Sequence, residues 1–301
     1  MELWIPLSIA AAFLQNIRSA LQKYLKDALS DAGATFVRFG FGFPLAILYL
    51  FVLQIWTEQP LPSPNLRFGI VLLTGGSAQI VATFLLVRLF SLRNFAVGTA
   101  YSKTEPLQAA VFGLVILGEG LPISGALAIA TSTIGVCLIS VARSEFSQKG
   151  LLSAFVGRPA LIGLSSGALF GVSAVSYRAA SLSLGGEGFL LPAAFTLACV
   201  TVFQTAIMTA YLFWWEPGQL TAVMKNWRPA LWVGVVGVTA SAGWFTAMTL
   251  QNAAYVRALG QIELIFTFVV SVFYFREHVN RLEIMGIVAI MIGIVSLILT
   301  P

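Results

Sequence analysis

The sequence predicts an all-α integral membrane protein of ten transmembrane helices, arranged as two inverted five-helix repeats. Three observations lead there. Of 301 residues, 58% are apolar and 10% charged, where a soluble globular chain carries about 25% charged residues. Mean hydropathy is +0.90 over the whole length, and one folded core cannot hide that much apolar surface from water. The apolar residues fall into ten continuous runs, and the chain matches itself when shifted by 158 positions.

Crossing about 30 Å of hydrocarbon takes about 20 helical residues, and continuous rather than alternating apolar runs favour helices over barrel strands. The first run, 3–21, has no basic segment before it and continues into Gln15, Asn16 and Arg18, so it is expected to stay as a membrane helix. The second, 34–55, stops before Pro60, Pro62 and Pro64; the third is 68–87; the fourth, 95–117, stops at Gly118 and Gly120. The fifth, 121–142, leads into a polar linker, 143–159, with Arg143, Lys149 and Arg158. The sixth, 160–180, ends before Gly185 and Gly186, and the seventh, 189–213, runs into Trp214 and Trp215. The eighth, 230–250, begins between Trp227 and Trp232; these tryptophans, with Trp4 and Trp56, suit a membrane-interface belt. The ninth and tenth are 253–275 and 282–299. Residues 1–142 thus form one repeat and 160–301 the other, with no gap long enough for a soluble domain.

The shift of 158 pairs Leu92 with Leu250, Asn94 with Asn252, Ala96 with Ala254, Ala100 with Ala258, Glu105 with Glu263 and Glu119 with Glu277. It continues ungapped through Ile129 and Ile287 to Gly135 and Gly293. Apolar coincidences are common in such a composition, but two glutamate pairs among only 12 acids are not. A unit of five helices must enter the membrane in opposite directions in the two halves. Basic residues test this independently. Lys23, Lys26, Arg88, Arg93, Arg143, Lys149, Arg158, Lys225, Arg228, Arg276 and Arg281 flank the odd-numbered loops, whereas only Arg67 and Arg178 flank the even-numbered ones. Positive charge retained inside makes the odd-numbered loops cytoplasmic and puts both termini outside.

Each half ends on an apolar helix closed by a glutamate, a short turn, and a glycine-containing apolar helix. The first copy reads QAAVFGLVILGEG at 108–120 before the helix with Gly135; the second reads FTFVVSVFYFRE at 266–277 before Gly286 and Gly293. This pattern resembles the EamA domain of the drug/metabolite transporter superfamily, and the duplicated five-helix plan extends the resemblance to the whole chain. The resemblance implies a bacterial-type metabolite carrier whose relatives move amino acids, choline, vitamins, nucleotide sugars or drugs. Some amino-acid exporters of that family resemble proteins with cytoplasmic termini, which would invert the charge-based orientation.

A charge at the centre of a lipid-facing helix costs about 2.5 to 3.5 kcal/mol, so such residues face a cavity or a partner. Six lie inside the runs: Arg18, Arg38, Lys103, Glu105, Arg257 and Glu263. Gln15, Arg18 and Gln22 share one helical face that continues to Lys26, a stripe suited to a water-accessible path; the alternative is snorkelling to the interface. Tyr101, Glu105 and Gln108 share another face, away from Thr99 and Lys103, and Pro106 interrupts the hydrogen bonding beside Glu105. Arg257 and Gln261 lie one turn apart, with Tyr255 and Glu263 on other faces. These charges are candidate substrate ligands, with Arg257 able to hold a carboxylate and Glu105 or Glu263 an ammonium; the competing account is that they neutralise one another structurally. Gln79, Ser241 and Trp244 lie at depths where they would line the same cavity, and Trp244 could stack on a flat or cationic ligand, although interior tryptophans also serve as packing. Glu119 and Glu277 sit beside turns and are expected to act as caps or gates, and Arg38 to tie its helix to a carbonyl or an acid. Small-residue clusters at 74–78, 165–168 and 241–243 allow close helix contact, static or sliding.

The expected function is secondary active or facilitative transport of a small polar metabolite (amino acid, amine, choline-like or vitamin) across the cell inner membrane by alternating access. No GxxxxGK[ST] loop supports ATP-driven transport, no cofactor is implied, and protons are the candidate coupling ion. Cys137 and Cys199 lie inside apolar runs and His278 is the sole histidine, so neither a disulfide framework nor a metal centre is expected. Nucleic acid is not an expected partner, and the chain is expected to work as a monomer or homodimer. An intramembrane enzyme would need a nucleophile with a base, paired aspartates or a metal, none of which the spans supply; a non-transporting scaffold would leave the buried charge without a use.

Overall fold

With no water in the hydrocarbon to satisfy backbone groups, the chain closes its hydrogen bonds within helices. The structure is a computed structural model that describes residues 2–89, 101–142, 157–186, 188–273 and 280–299. Among these residues it has thirteen helices and no strand. They are α1 (Trp4–Leu25), α2 (Asp31–Gly40), α3 (Phe43–Thr57), α4 (Leu66–Leu89), α5 (Glu105–Leu117), α6 (Ile123–Ala142) and α7 (Arg158–Ser183). Then follow α8 (Leu190–Trp215), α9 (Gln219–Lys225), α10 (Trp227–Leu250), α11 (Ala253–Leu259), α12 (Ile262–Phe273) and α13 (Arg281–Leu299).

Six segments are long and apolar enough to span a membrane on their own: α2 with α3, α4, α7, α8, α10 and α13; α5 and most of α6 are shorter apolar helices. The 22-residue α1 is not among the six. Its Gln15, Asn16, Arg18 and Gln22 lower its hydropathy, which is the cost of a helix that turns side chains toward a polar interior.

Three of the expected continuous runs are interrupted. The second breaks at Phe41 and Gly42, with Pro44 in the first turn of α3, where its missing N–H costs nothing. The ninth breaks at Gly260 and Gln261, between α11 and α12. The fourth, whose residues 95–100 lie outside the described residues, turns at Lys103 and Thr104 before α5 begins. Pro106 therefore sits in the first turn of a new helix and not in mid-helix. Gly118, at φ +70°, closes α5: its N–H donates to Leu114 O at 3.1 Å and Glu119 N–H donates to Gly113 O at 3.2 Å, which fixes the position of Glu119.

The most extensive helix pairings are α6 with α13, α4 with α7 and α1 with α10, followed by α5 with α7. Glycine makes the first of these close. A Cβ on Gly135 would lie 2.8 Å from Ile290 N, and one on Gly293 would lie 2.7 Å from Ala128 O, so the two backbones touch. On α13 the buried set Gly286, Ile287, Ile290, Gly293, Ile294 and Leu297 forms one stripe. Ile284, Met285, Val288, Met291, Ile292 and Val295 point outward, as lipid contact requires.

The connections meet at two faces. At one, Ser30 N–H donates to Gln219 Oε1 at 3.1 Å and the Ser30 hydroxyl donates to Glu216, which joins the α1–α2 turn to the α8–α9 turn. At the other, Asn65 Nδ2 donates to Ser183 O at 2.6 Å, and Arg178 ties the end of α7 to the α5–α6 and α10–α11 turns. The 27-residue segment formed by α2 and α3 separates the two faces.

Candidate functional site

Two of the three helix breaks carry a glutamate in the first turn of the helix that follows, Glu105 in α5 and Glu263 in α12. Unsatisfied N–H groups there favour a carboxylate. The acids are paired crosswise. Arg257 of α11 grips Glu105 through two nitrogens, Nε with Oε1 and Nη2 with Oε2 at 2.7 Å, and Lys103 pairs with Glu263. Gln261 Nε2 donates to Lys103 O at 3.0 Å, so these two positions, equivalent in the 158-residue repeat, are in contact. The Arg257 guanidinium lies 4.6 Å from the centre of the Trp244 ring, and Trp244 Nε1 donates to Gln15 Oε1 at 3.1 Å. Gly260 makes this stacking possible, because a Cβ there would lie 2.6 Å from the Trp244 ring.

Gln15, Lys103, Glu105, Pro106, Trp244, Arg257, Gly260 and Gln261 line a cavity of about 10 Å³, room for about one water. A second cavity of about 10 Å³ is lined by Arg38, Gln79, Gln204, Gly237 and Ser241 with apolar neighbours. Beside it the Tyr177 hydroxyl donates to Gln79 Oε1 at 3.0 Å, and Gln204 Nε2 donates to Gln79 Oε1 at 2.9 Å and to Gly76 O at 3.1 Å. Arg18 lies against Gly237.

The structure therefore gathers Gln15, Lys103, Glu105, Trp244, Arg257, Gln261 and Glu263 at one place and puts Gln79 and Ser241 at the adjoining cavity, where the sequence placed them in one cavity with Trp244. Tyr101, half-buried just before the turn at Lys103 and Thr104, lines neither cavity. The polar stripe of α1 does not run through as a water path, because Gln22 Nε2 donates to Ala34 O at 2.9 Å and Lys26 pairs with Asp31. Arg38 reaches neither a carbonyl nor an acid among the described residues; its Nη1 donates to Thr83 Oγ1 at 3.3 Å.

Sequence reasoning missed Tyr177 and Gln204, which carry no charge to flag them. Arg178 it counted only as a loop charge. Its Nε donates to both Glu119 oxygens, at 2.9 and 3.0 Å, and its Nη1 to Met248 O at 2.7 Å and Gln251 O at 2.8 Å. Asn252 Nδ2 adds a bond to Glu119 Oε2 at 2.9 Å, so Glu119 helps seal this face. Its repeat partner Glu277 lies outside the described residues.

Comparison with known proteins bears on the whole chain. No curated protein matches it. Among solved structures, a crystal structure described only as that of a protein superposes with a TM-score of 0.66 at 16% identity, covering 96% of this chain and 98% of that one; at that identity the likeness speaks to the fold alone. The sequence pattern of the EamA-like transporter family matches twice, over residues 2–141 and 159–299. With apolar helices long enough to cross a bilayer several times and a family match over both halves, this multi-pass membrane protein belongs to the EamA-like transporter family.

Proposed function

We propose that this chain is a ten-span secondary active or facilitative carrier of a small polar metabolite in the cell inner membrane, with repeats 1–142 and 160–301 joined by a linker at 143–159. The observation that carries the reading is the crosswise pairing of Glu105 with Arg257 and Lys103 with Glu263 at two helix breaks, beside polar cavities inside the apolar body. Discontinuous helices meeting at mid-membrane are how carriers place polar groups where lipid forbids them.

A two-fold relation of the halves, which inverted repeats require, is supported by the pairing pattern. Shifting by one repeat turns the contact of α1 with α10 into that of α7 with α4, and α6 with α13 onto itself. Inversion is supported by the faces: α1 ends where the α8–α9 turn lies, whereas α7, its counterpart, ends at the opposite face. Cavities that hold about one water admit no metabolite, so substrate entry requires the halves to part. Alternating access follows, with the Arg178 and Glu119 cluster closing one face and the basic odd-numbered loops lying in the cytoplasm. A proton arriving on Glu105 or Glu263 would release its cation, which gives protons a route to coupling.

The test is uptake by the purified protein in liposomes of radiolabelled amino acids, choline, vitamins and carboxylates. Saturable uptake of one of them, lost in protein-free liposomes and reduced in Glu105→Gln, supports the carrier. Uptake of none across the panel favours a scaffold, and chemical conversion of a solute without its passage favours an enzyme.

A further inference from the structure

Among the described residues, Glu283 is buried in the first turn of α13, beside the connection that precedes it; away from the connections, the interior holds four cations, Arg18, Arg38, Lys103 and Arg257, and two carboxylates, Glu105 and Glu263. Both carboxylates are engaged, one gripped by Arg257 and the other by Lys103. An excess of two positive charges is left on Arg18 and Arg38. These are the most deeply enclosed of the four: Arg18 is 3% exposed and Arg38 7%. Neither has an acid within ion-pair distance among the described residues. Arg18 Nε has no hydrogen-bond partner there. Arg38 has a single 3.3 Å bond to the neutral Thr83 hydroxyl and leans on the ring of its neighbour Phe39 at 5.3 Å.

The two side chains converge although they come from different helices. A Cβ on Gly237 of α10 would lie 3.3 Å from Arg18 Cδ and 3.6 Å from Arg38 Cγ, so both aliphatic stems pack over the same glycine. Arg38 also lines the second cavity, whose neutral polar groups include Gln79, Gln204 and Ser241. Two arginines buried over one glycine, with no acid paired to either among the described residues, repel each other and have lost their water. A planar oxyanion relieves both penalties, because the guanidinium fork matches a carboxylate or phosphate in shape and charge.

We infer that the carried solute is a small organic anion bearing carboxylate or phosphate, bound between Arg18 and Arg38. This deepens the carrier reading and rests on it. A dianion brings the interior to neutrality; an amine or quaternary ammonium adds a third uncompensated charge. Gln79 and Ser241 supply hydrogen bonds to the rest of the molecule, while Arg257 and Lys103 stay with their glutamates. The same oxyanion chemistry belongs to an anionic lipid headgroup, but the depth of enclosure by α1, α2 and α10 favours a soluble metabolite.

The experiment uses the full chain in phosphatidylcholine liposomes with a potassium diffusion potential set by valinomycin, and four probes: malate, inorganic phosphate, choline and putrescine. Malate or phosphate is expected to enter faster when the lumen is positive, and Arg18→Gln and Arg38→Gln are each expected to cut the rate by about tenfold or more, the scale of one charge-assisted contact. Thermal stabilisation of the unaltered protein by malate, absent with choline, reads the same site without a variant that has to fold. Entry of choline or putrescine alone would leave the carrier standing and overturn the anion. Movement of no probe together with no stabilisation by malate or phosphate would overturn the anion, and the wider uptake panel then decides the carrier. Anion uptake undiminished in both variants would overturn the assignment to these arginines. Stabilisation by phosphatidylglycerol but not by malate would give the site to a lipid headgroup and overturn the metabolite.

Discussion

Glu105 is the residue on which most of the interior converges, since Arg257 holds both of its oxygens while resting on Trp244, which Gln15 anchors in turn. Removing one partner of a buried ion pair costs about 3 to 5 kcal/mol, because the survivor is left charged without compensation. The single variant Glu105→Gln, which strands the Arg257 guanidinium, is therefore expected to lower the melting temperature of the detergent-purified protein more than the double variant Glu105→Gln/Arg257→Met, which leaves neither charge behind. Equal melting temperatures for the two variants would mean that the pair contributes little. The rarity of charge in this sequence made Arg18, Lys103, Glu105, Arg257 and Glu263 legible as interior residues. Their partners were not legible, because the Arg257 contact closes over 152 positions and depends on where two helices break. Tyr177 and Gln204 escaped for a different reason: a neutral hydroxyl or amide costs too little in an apolar helix to mark itself.

At the level of the elements, the helices that were hardest to read as spans are those nearest the polar interior. Pro106 marked a disturbance beside Glu105 without showing that a new helix starts there, and the break between α11 and α12 has only Gly260, indistinguishable in sequence from a packing glycine. The unbroken helices were legible because lipid demands one long apolar run of each, and α4, α7, α8 and α13 lie close to their expected bounds. Contact of α6 with α13 depends on backbone approach, and Gly135 has the Gly286 carbonyl and Ile290 N where a side chain would stand. Backbone cannot step aside as a side-chain tip can, so Gly135→Val is expected to cost about 2 kcal/mol or more by overpacking. Chemical denaturation in detergent would check this, with the exposed neighbour Ile134→Val as the control expected to stay near the parent.

For the whole molecule, the question is which parts must separate. Ser181 Oγ and Thr249 Oγ1 are 2.8 Å apart at the face sealed by Arg178, and they join the end of α7 to the end of α10. Cysteines at both positions, in a chain whose Cys137 and Cys199 have been replaced by serine and alanine, are expected to form a disulfide that stops uptake until it is reduced. Transport that continues through the oxidised form would show that this face does not open there. Duplication was legible in the sequence from two glutamate pairs, yet the duplicate halves bring unlike chemistry. The first supplies Arg18, Arg38, Lys103 and Glu105, while the second supplies Arg257 and Glu263. A self-assembled pair of first halves would crowd six cations around two acids, and a pair of second halves would lack both arginines at Gly237. Fusion into one polypeptide has thus become irreversible: neither parent module can any longer replace its sibling.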